Sequence, residues 1–424
     1  MATINKFASL FIAFSLFLFL IDVVLLGSGA WSINIVGLSL RKVEYAILLG
    51  MVLITINNSR AYVYLCAIVV FCAVFGVIVP LLNDVKLEYA TTELLSLFGI
   101  MLCPLIVQNN YISTNWLKIR RLLLILCIIS AFFHIAIWLI GLSGSASINS
   151  VKFFLMKVLT AGDAGAIDNI IIADTPDGLF RVLLPSSSLL VIGFYLSLQK
   201  LLHDRRLRDY VMVFVMALAL FSTWTRALYL SPILIVLGLF FYKLCPLSLK
   251  LDGFGTFSLI TFLIVLFVLV SGAMVHPDVL VLLGIASDTS DGVRFEQVAW
   301  ILDTFLPHPI FGTGLGGSAT HVRSVIAPWT YEMSLLALIM KIGIVGCVSF
   351  IIISAAQIPY FFANFFNGRR LPAQKVVWLL FSLSILIMFS TNPFMLSFPG
   401  VTLTFFILGE LNYLKNEYNN EYIS

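Results

Sequence analysis

The side chains in this sequence best suited to chemistry are Arg181, Arg226, Arg294, Arg323, His308, His321 and Glu332. A guanidinium presents planar, paired donors that match phosphate oxygens. Several such donors together would offset the charge of a diphosphate and stabilise it as a leaving group. Histidine titrates near neutral pH, which makes His308 and His321 candidate acid–base groups. Most of these residues fall in one window, from Arg294 to Gly346. It reads Arg294-Phe-Glu296-Gln, Trp300, then Pro307-His308-Pro309-Ile-Phe-Gly312-Thr-Gly314-Leu-Gly316-Gly317. His321, Arg323 and Trp329-Thr-Tyr331-Glu332 follow, before an apolar run through Lys341-Ile-Gly343-Ile-Val-Gly346. No other window between apolar runs gathers charge, histidine, glycine and proline over such a length.

Each of these residues also has a plainer reading. Arg226, in Ser222-Thr223-Trp224-Thr225-Arg226-Ala227, suits either a phosphate fork or an arginine snorkelling at a membrane interface. Arg294 and Arg323 either face an anionic ligand or pair with Asp288, Asp291 and Glu296. His308, between two prolines, fits a turn-shaping role, so His321 is the better acid–base candidate. Glu332 opens an apolar run, and a carboxylate there suits a helix N-terminus as well as catalysis. The glycine-rich stretch lacks a preceding strand and a Lys-Ser/Thr pair, which excludes a nucleotide fingerprint. Its glycines let backbone turn sharply or approach another group closely. Neither zinc spacing, nor a metal-binding carboxylate pair, nor a Ser-His-Asp set stands out. We therefore expect no metal and no cofactor.

The elements that must position these residues are set by composition. Of 424 residues, 61% are hydrophobic and 11% charged, whereas soluble domains carry about 25% charged residues. Such a chain is polytopic in a membrane. Its long continuous apolar runs favour helices over a barrel. We expect an all-α fold of about twelve spans, near 7–26, 43–57, 61–82, 90–107, 121–143, 179–199, 208–223, 227–244, 255–275, 330–363, 376–391 and 393–413. The first run, Phe7 to Leu26, is too long for a signal-peptide core and reads as an uncleaved helix. Basic clusters at 118–121, 203–208, 243–250 and 369–375 fall on one side under this count. The positive-inside rule makes that side cytoplasmic, together with both termini. The chain then forms a single transmembrane domain, 1–424, with outer loops at about 144–178 and 276–329. Within these loops, Val151 to Leu159 reads as an interfacial amphipathic helix. Arg294 to Phe305 has helical spacing but is too short to span. Arg181, Arg226, Arg294 and Arg323 all lie at the outer side, against the positive-inside trend. The six cysteines sit in or beside spans and read as small buried hydrophobes. The net charge of +4 is ordinary for such a protein, and no basic run suited to nucleic acid is present.

The window from Arg294 to Gly346 resembles the signature region of the O-antigen ligase/polymerase superfamily, which includes the Wzy-type polymerases. The residues that carry the resemblance are Arg294, Trp300, His308-Pro309-Ile310-Phe311-Gly312-Thr313-Gly314 and Gly343-Ile344-Val345-Gly346, with Thr225-Arg226-Ala227 in the preceding half. The resemblance implies a GT-C-like membrane protein of the bacterial inner membrane. Its activity would be glycosyl transfer from an undecaprenyl diphosphate-linked chain to a lipid-linked repeat unit on the periplasmic face. Arg226 and Arg294 would grip the diphosphate, with Arg181 and Arg323 as helpers. His321 or Glu332 would orient or deprotonate the acceptor. Membrane lipids and a chain-length regulator would be further partners. Many members carry His-Asn just before the helix that Glu332 opens. Here Trp329-Thr330 precede Tyr331-Glu332, so that general-base role has no matching position. The departure favours a polymerase over a ligase that transfers glycan to lipid A-core. A lipid-linked oligosaccharide flippase and a noncatalytic membrane subunit are the readings from other classes.

Overall fold

In a computed structural model of the chain, the residues described are 2–26, 46–47, 50, 59–143, 171–174, 180–184, 186–244, 288–323, 327–362, 372–393 and 395–421. In chain order the helices are α1 (Ala2–Ile21, continued as a π-turn over Asp22–Leu26), α2 (Ser59–Leu82) and α3 (Leu87–Gln108). Next come α4 (Asn110–Thr114) and α5 (Trp116–Leu142), a hairpin of β1 (Ile171–Asp174) and β2 (Phe180–Leu183), then α6 (Leu190–Asp204), α7 (Leu207–Ser222) and α8 (Arg226–Leu244). The last are α9 (Asp288–Phe305), α10 (Ser334–Ala355), α11 (Ala373–Thr391) and α12 (Phe398–Glu421).

Among the described residues, five stretches are long and apolar enough to cross a membrane: Ser59–Leu82, Leu87–Gln108, Trp116–Leu142, Ser334–Phe362 and Ala373–Ser390. The 27 residues of α5 would reach about 40 Å at 1.5 Å per residue, against a hydrocarbon core of about 30 Å. Shorter apolar helices occupy Phe11–Leu25 and Arg226–Phe240. The protein is helical and membrane-embedded. The expected span at 255–275, the amphipathic helix at Val151 to Leu159 and all but residues 46, 47 and 50 of the expected span at 43–57 lie outside the described residues.

One expected span is corrected. Residues 179–199 do not form one helix. Phe180–Leu183 pairs antiparallel with Ile171–Asp174, Asp174 opposite Phe180 and Ile171 opposite Leu183, and α6 begins only at Leu190. The apolar residues of β2 and of the helix flank Pro185-Ser186-Ser187-Ser188, and it is there that the chain passes from strand to helix. Trp138 on α5 donates its indole N–H to Phe180 O at 3.0 Å and so anchors the hairpin.

The chain divides into two compact units. In the first (Met1–Ala61, Leu105–Val236, Thr402–Gly409), α5, α6 and α7 pack on one another. Gly193 lets α6 close on Cys127 and Met216, where a methyl group would collide with both. The tight turn from α6 to α7 is fixed by Arg205 in the left-handed region (φ 54) and by the buried Asp209, which accepts from Arg206 N at 3.2 Å. His134, fully buried on α5, is satisfied by Ser130 O and Ser187 Oγ, at 2.7 and 2.8 Å.

The second unit (Tyr62–Pro104, Leu237–Val401, Glu410–Ser424) holds the window singled out above. Its core includes Phe71 against Phe75 and Phe350, and Ser334 Oγ ties the start of α10 to Phe389 O on α11 at 2.7 Å. Within this unit two helices are interrupted. In α2, Val74–Ile78 is a π-turn. Pro80 lacks an N–H to give Phe75 O five residues back, and Leu315 N donates to that oxygen instead, at 3.0 Å. In α10, Gly343 takes φ 63, ψ −174 and breaks the helix.

Candidate functional site

The break at Gly343 is where the glycine stretch docks. An unbroken helix would pair Ile344 N with Met340 O and Val345 N with Lys341 O. Here Ile344 N donates to Pro309 O (2.9 Å) and Val345 N to Ile310 O (3.0 Å). The released oxygens of Met340 and Lys341 accept from Thr313 N (3.1 Å) and Gly314 N (2.8 Å). The loop therefore replaces two helical bonds with four of its own and leaves none of these groups unsatisfied, as non-helical backbone in a membrane protein requires. A side chain at Gly343 would meet Ile310 O and Gly312 N. Gly316, at φ 77, lies against the backbone of Ala90 on α3. Both positions need glycine for close approach and for a left-handed φ.

Beneath this loop lies a buried ion pair. Glu93 on α3 and Lys341 on α10 are 3% and 1% exposed and hydrogen-bond to each other. Each also holds the chain above. Glu93 Oε2 accepts from Gly316 N at 2.7 Å, and Lys341 Nζ donates to Trp329 O at 2.7 Å. The Trp329 ring packs on Tyr89, centroids 4.4 Å apart.

Three of the singled-out charged residues converge at the rim of this unit. Arg294 Nε donates to Glu332 Oε2 at 2.8 Å, and an Arg323 guanidinium nitrogen lies 3.1 Å from Glu332 Oε1. One turn beyond Arg294 on α9, the buried Gln297 accepts from Glu332 N through Oε1, at 2.9 Å. Its Nε2 is buried without a hydrogen-bond partner. The cluster joins two cations to one anion and is half-buried, with exposures of 16% for Arg294, 20% for Glu332 and 33% for Arg323.

The intervening segment is pinned by neighbours of α9 and α10. Ala319 N donates to Tyr331 Oη at 2.7 Å, Tyr331 donates to His321 O at 3.2 Å, and Thr320 N donates to Thr304 Oγ1 at 2.9 Å. Burial pushes the Tyr331 phenol pKa up, which keeps it a donor. Tyr331 packs with Ile301, Ala319, Ala337 and Met340. His321 is exposed, its ring 5.3 Å from that of Trp300. His308 is exposed, and its carbonyl accepts from Gly312 N at 2.9 Å, a turn-forming contact.

Arg181 and Arg226 belong to the first unit. Arg181, on β2, donates Nε to Thr223 O and an Nη to Thr225 Oγ1, both at 3.1 Å. Arg226 begins α8 directly after that turn, in which Trp224 takes a left-handed φ of 45. Each unit thus brings together part of the arginine set: Arg294 and Arg323 on Glu332 in one, Arg181 on the Thr223–Thr225 turn beside Arg226 in the other.

Sequence reasoning passed over Glu93, Gln297 and the role of Lys341. For Glu93 and Lys341 a signal was present, since each is an ionisable residue within an apolar run, and such residues mark functional or paired positions. Gln297 gave no signal beyond its spacing of three from Arg294. Among the described residues, no group of three His, Cys, Asp or Glu is placed to hold a metal ion. No protein-family model matches the chain, and no curated protein matches it.

Proposed function

We propose that the protein is an inner-membrane polysaccharide polymerase that joins lipid-linked oligosaccharide repeats on the periplasmic face. The donor is a growing glycan on undecaprenyl diphosphate. The acceptor is a sugar hydroxyl of one lipid-linked repeat. The carrying observation is the gathering of Arg294 and Arg323 on Glu332, in the unit where the glycine loop docks into the break of α10. Two guanidinium groups gathered on one carboxylate form a planar donor set of the kind that suits a diphosphate. With both its oxygens engaged by arginine, Glu332 fits the part of a brace better than that of a base. His321, exposed beside Trp300, is then the acid–base candidate.

A transporter reading draws on the broken helix α10, because transporters bind substrate at discontinuous helices. Here the backbone groups opened by the break are filled by the chain's own residues 309–314, which favours the polymerase. Glycan from a deletion strain separates the readings. Loss of a polymerase leaves single repeats attached to the lipid anchor. Long unattached chains would instead indicate a ligase, and repeats stranded on the cytoplasmic side a flippase.

A further inference from the structure

We infer that Glu93 and Lys341 are positioning residues that clamp the backbone at Gly316 and at Trp329 and thereby set the Arg294–Glu332–Arg323 cluster for reaction. This rests on the polymerase reading of that cluster. A buried ion pair is a poor source of stability, since apolar residues of similar volume commonly do as well. What the pair does here is make contacts that apolar residues cannot. Glu93 spends Oε2 on Gly316 N, and Lys341 spends an N–H on Trp329 O. These two backbone groups bracket the segment that carries His321 and Arg323, and Trp329 lies three residues before Glu332. Both clamp points meet at one ion pair, itself next to the break at Gly343, where the glycine loop enters α10. The reach of Arg323 to Glu332 Oε1 thus depends on groups buried beneath it. A catalytic constellation loses rate when its supporting contacts loosen by even an ångström or so.

Two double variants separate clamping from charge pairing. Glu93→Leu/Lys341→Met removes the charges and both tethers. Glu93→Gln/Lys341→Gln removes the charges but keeps an acceptor for Gly316 N and, on a side chain about one bond shorter, a donor that reaches Trp329 O through a bridging water. Full-length protein in membranes is assayed for abundance and surface-glycan chain length. The purified protein is assayed for amide hydrogen exchange over 312–323 and 327–332. We expect the polar double variant to retain long chains and slow exchange. The apolar one, at comparable abundance, should show exchange faster by about tenfold or more in that segment and chains shortened towards single repeats. Equal behaviour of the two at equal abundance overturns the inference. Should the apolar variant fail to accumulate, Glu93→Lys/Lys341→Glu decides. It keeps an ion pair but puts the wrong group at each tether, so long chains from it also overturn the inference. Arg294→Lys runs alongside. If it keeps long chains, the polymerase reading of the cluster fails, while the exchange data still report whether the pair orders the segment.

Discussion

Arg294 and Arg323 converge on Glu332 from sequence positions 38 and 9 residues away, and the carboxylate gives one oxygen to each. Arg→Lys keeps the charge but loses the planar fork, so it is not a conservative change at a site that grips a diphosphate. Loss of a contact made in the transition state costs about 2.7–4 kcal/mol, on the order of a hundred- to a thousandfold in rate. Arg294→Lys and Arg226→Lys are each expected to shorten chains sharply at near-normal protein abundance. Arg205→Lys, at the turn between α6 and α7, should leave chain length unchanged. Chain length on a gel and abundance by blot read all three. For Glu332, bracing and base roles diverge. Glu332→Gln keeps an acceptor for a guanidinium, so a brace tolerates it far better than Glu332→Ala. A base loses turnover equally in both. The turnover ratio of the two variants distinguishes the roles. The types of these residues and their gathering in one window were legible in the sequence. Their partners were not, because the bonds from Arg294 to Glu332 and from Lys341 to Glu93 join positions far apart in the chain, which no local spacing encodes.

At the level of elements, the apolar runs marked most of the described helices to within a few residues, and the helical spacing from Arg294 to Phe305 lies within α9. Two features escaped. The β1–β2 hairpin was missed because Phe180, Val182, Leu183 and Leu184 were merged with the apolar helix from Leu190 across Pro185-Ser186-Ser187-Ser188, a stretch that breaks a helix. The break in α10 was hidden because Gly343 sits among strong apolar helix residues, and only its docked partner loop explains its φ of 63. Glycine substitutions test that docking. Gly316→Ala forces a methyl group into the backbone of Ala90 at a left-handed φ, and strain of that kind costs on the order of 1–3 kcal/mol. It is expected to lower the unfolding temperature of the purified protein. Gly292→Ala, within α9 where an added methyl group meets nothing within 4 Å, is expected to stabilise by about 0.5–1 kcal/mol through helix propensity. Thermal unfolding in detergent should therefore shift in opposite directions for the two. An unchanged or raised unfolding temperature for Gly316→Ala would mean that Gly316 is not held against α3.

For the molecule as a whole, membrane character follows from composition, and the described residues include five helices of spanning length and apolarity. The expectation of about twelve spans depends in part on segments outside the described residues. The orientation rests on the four basic clusters. Reporter fusions after residues 205, 300, 370 and 424 are expected to read inside, outside, inside and inside. A cytoplasmic reading at 300 would remove the Arg294–Glu332–Arg323 cluster from the periplasmic face and the polymerase reading with it. The chemistry itself is open to reconstitution. Purified protein in lipid vesicles is supplied with undecaprenyl diphosphate-linked repeat units, and product length is followed on a gel. A polymerase should yield a ladder of chains with release of undecaprenyl diphosphate, and Arg294→Lys should slow that ladder on the order of a hundredfold or more. Persistence of the input single repeats alone with the native protein, or equal ladders from the native and Arg294→Lys proteins, would contradict the assignment of this site to glycan polymerisation.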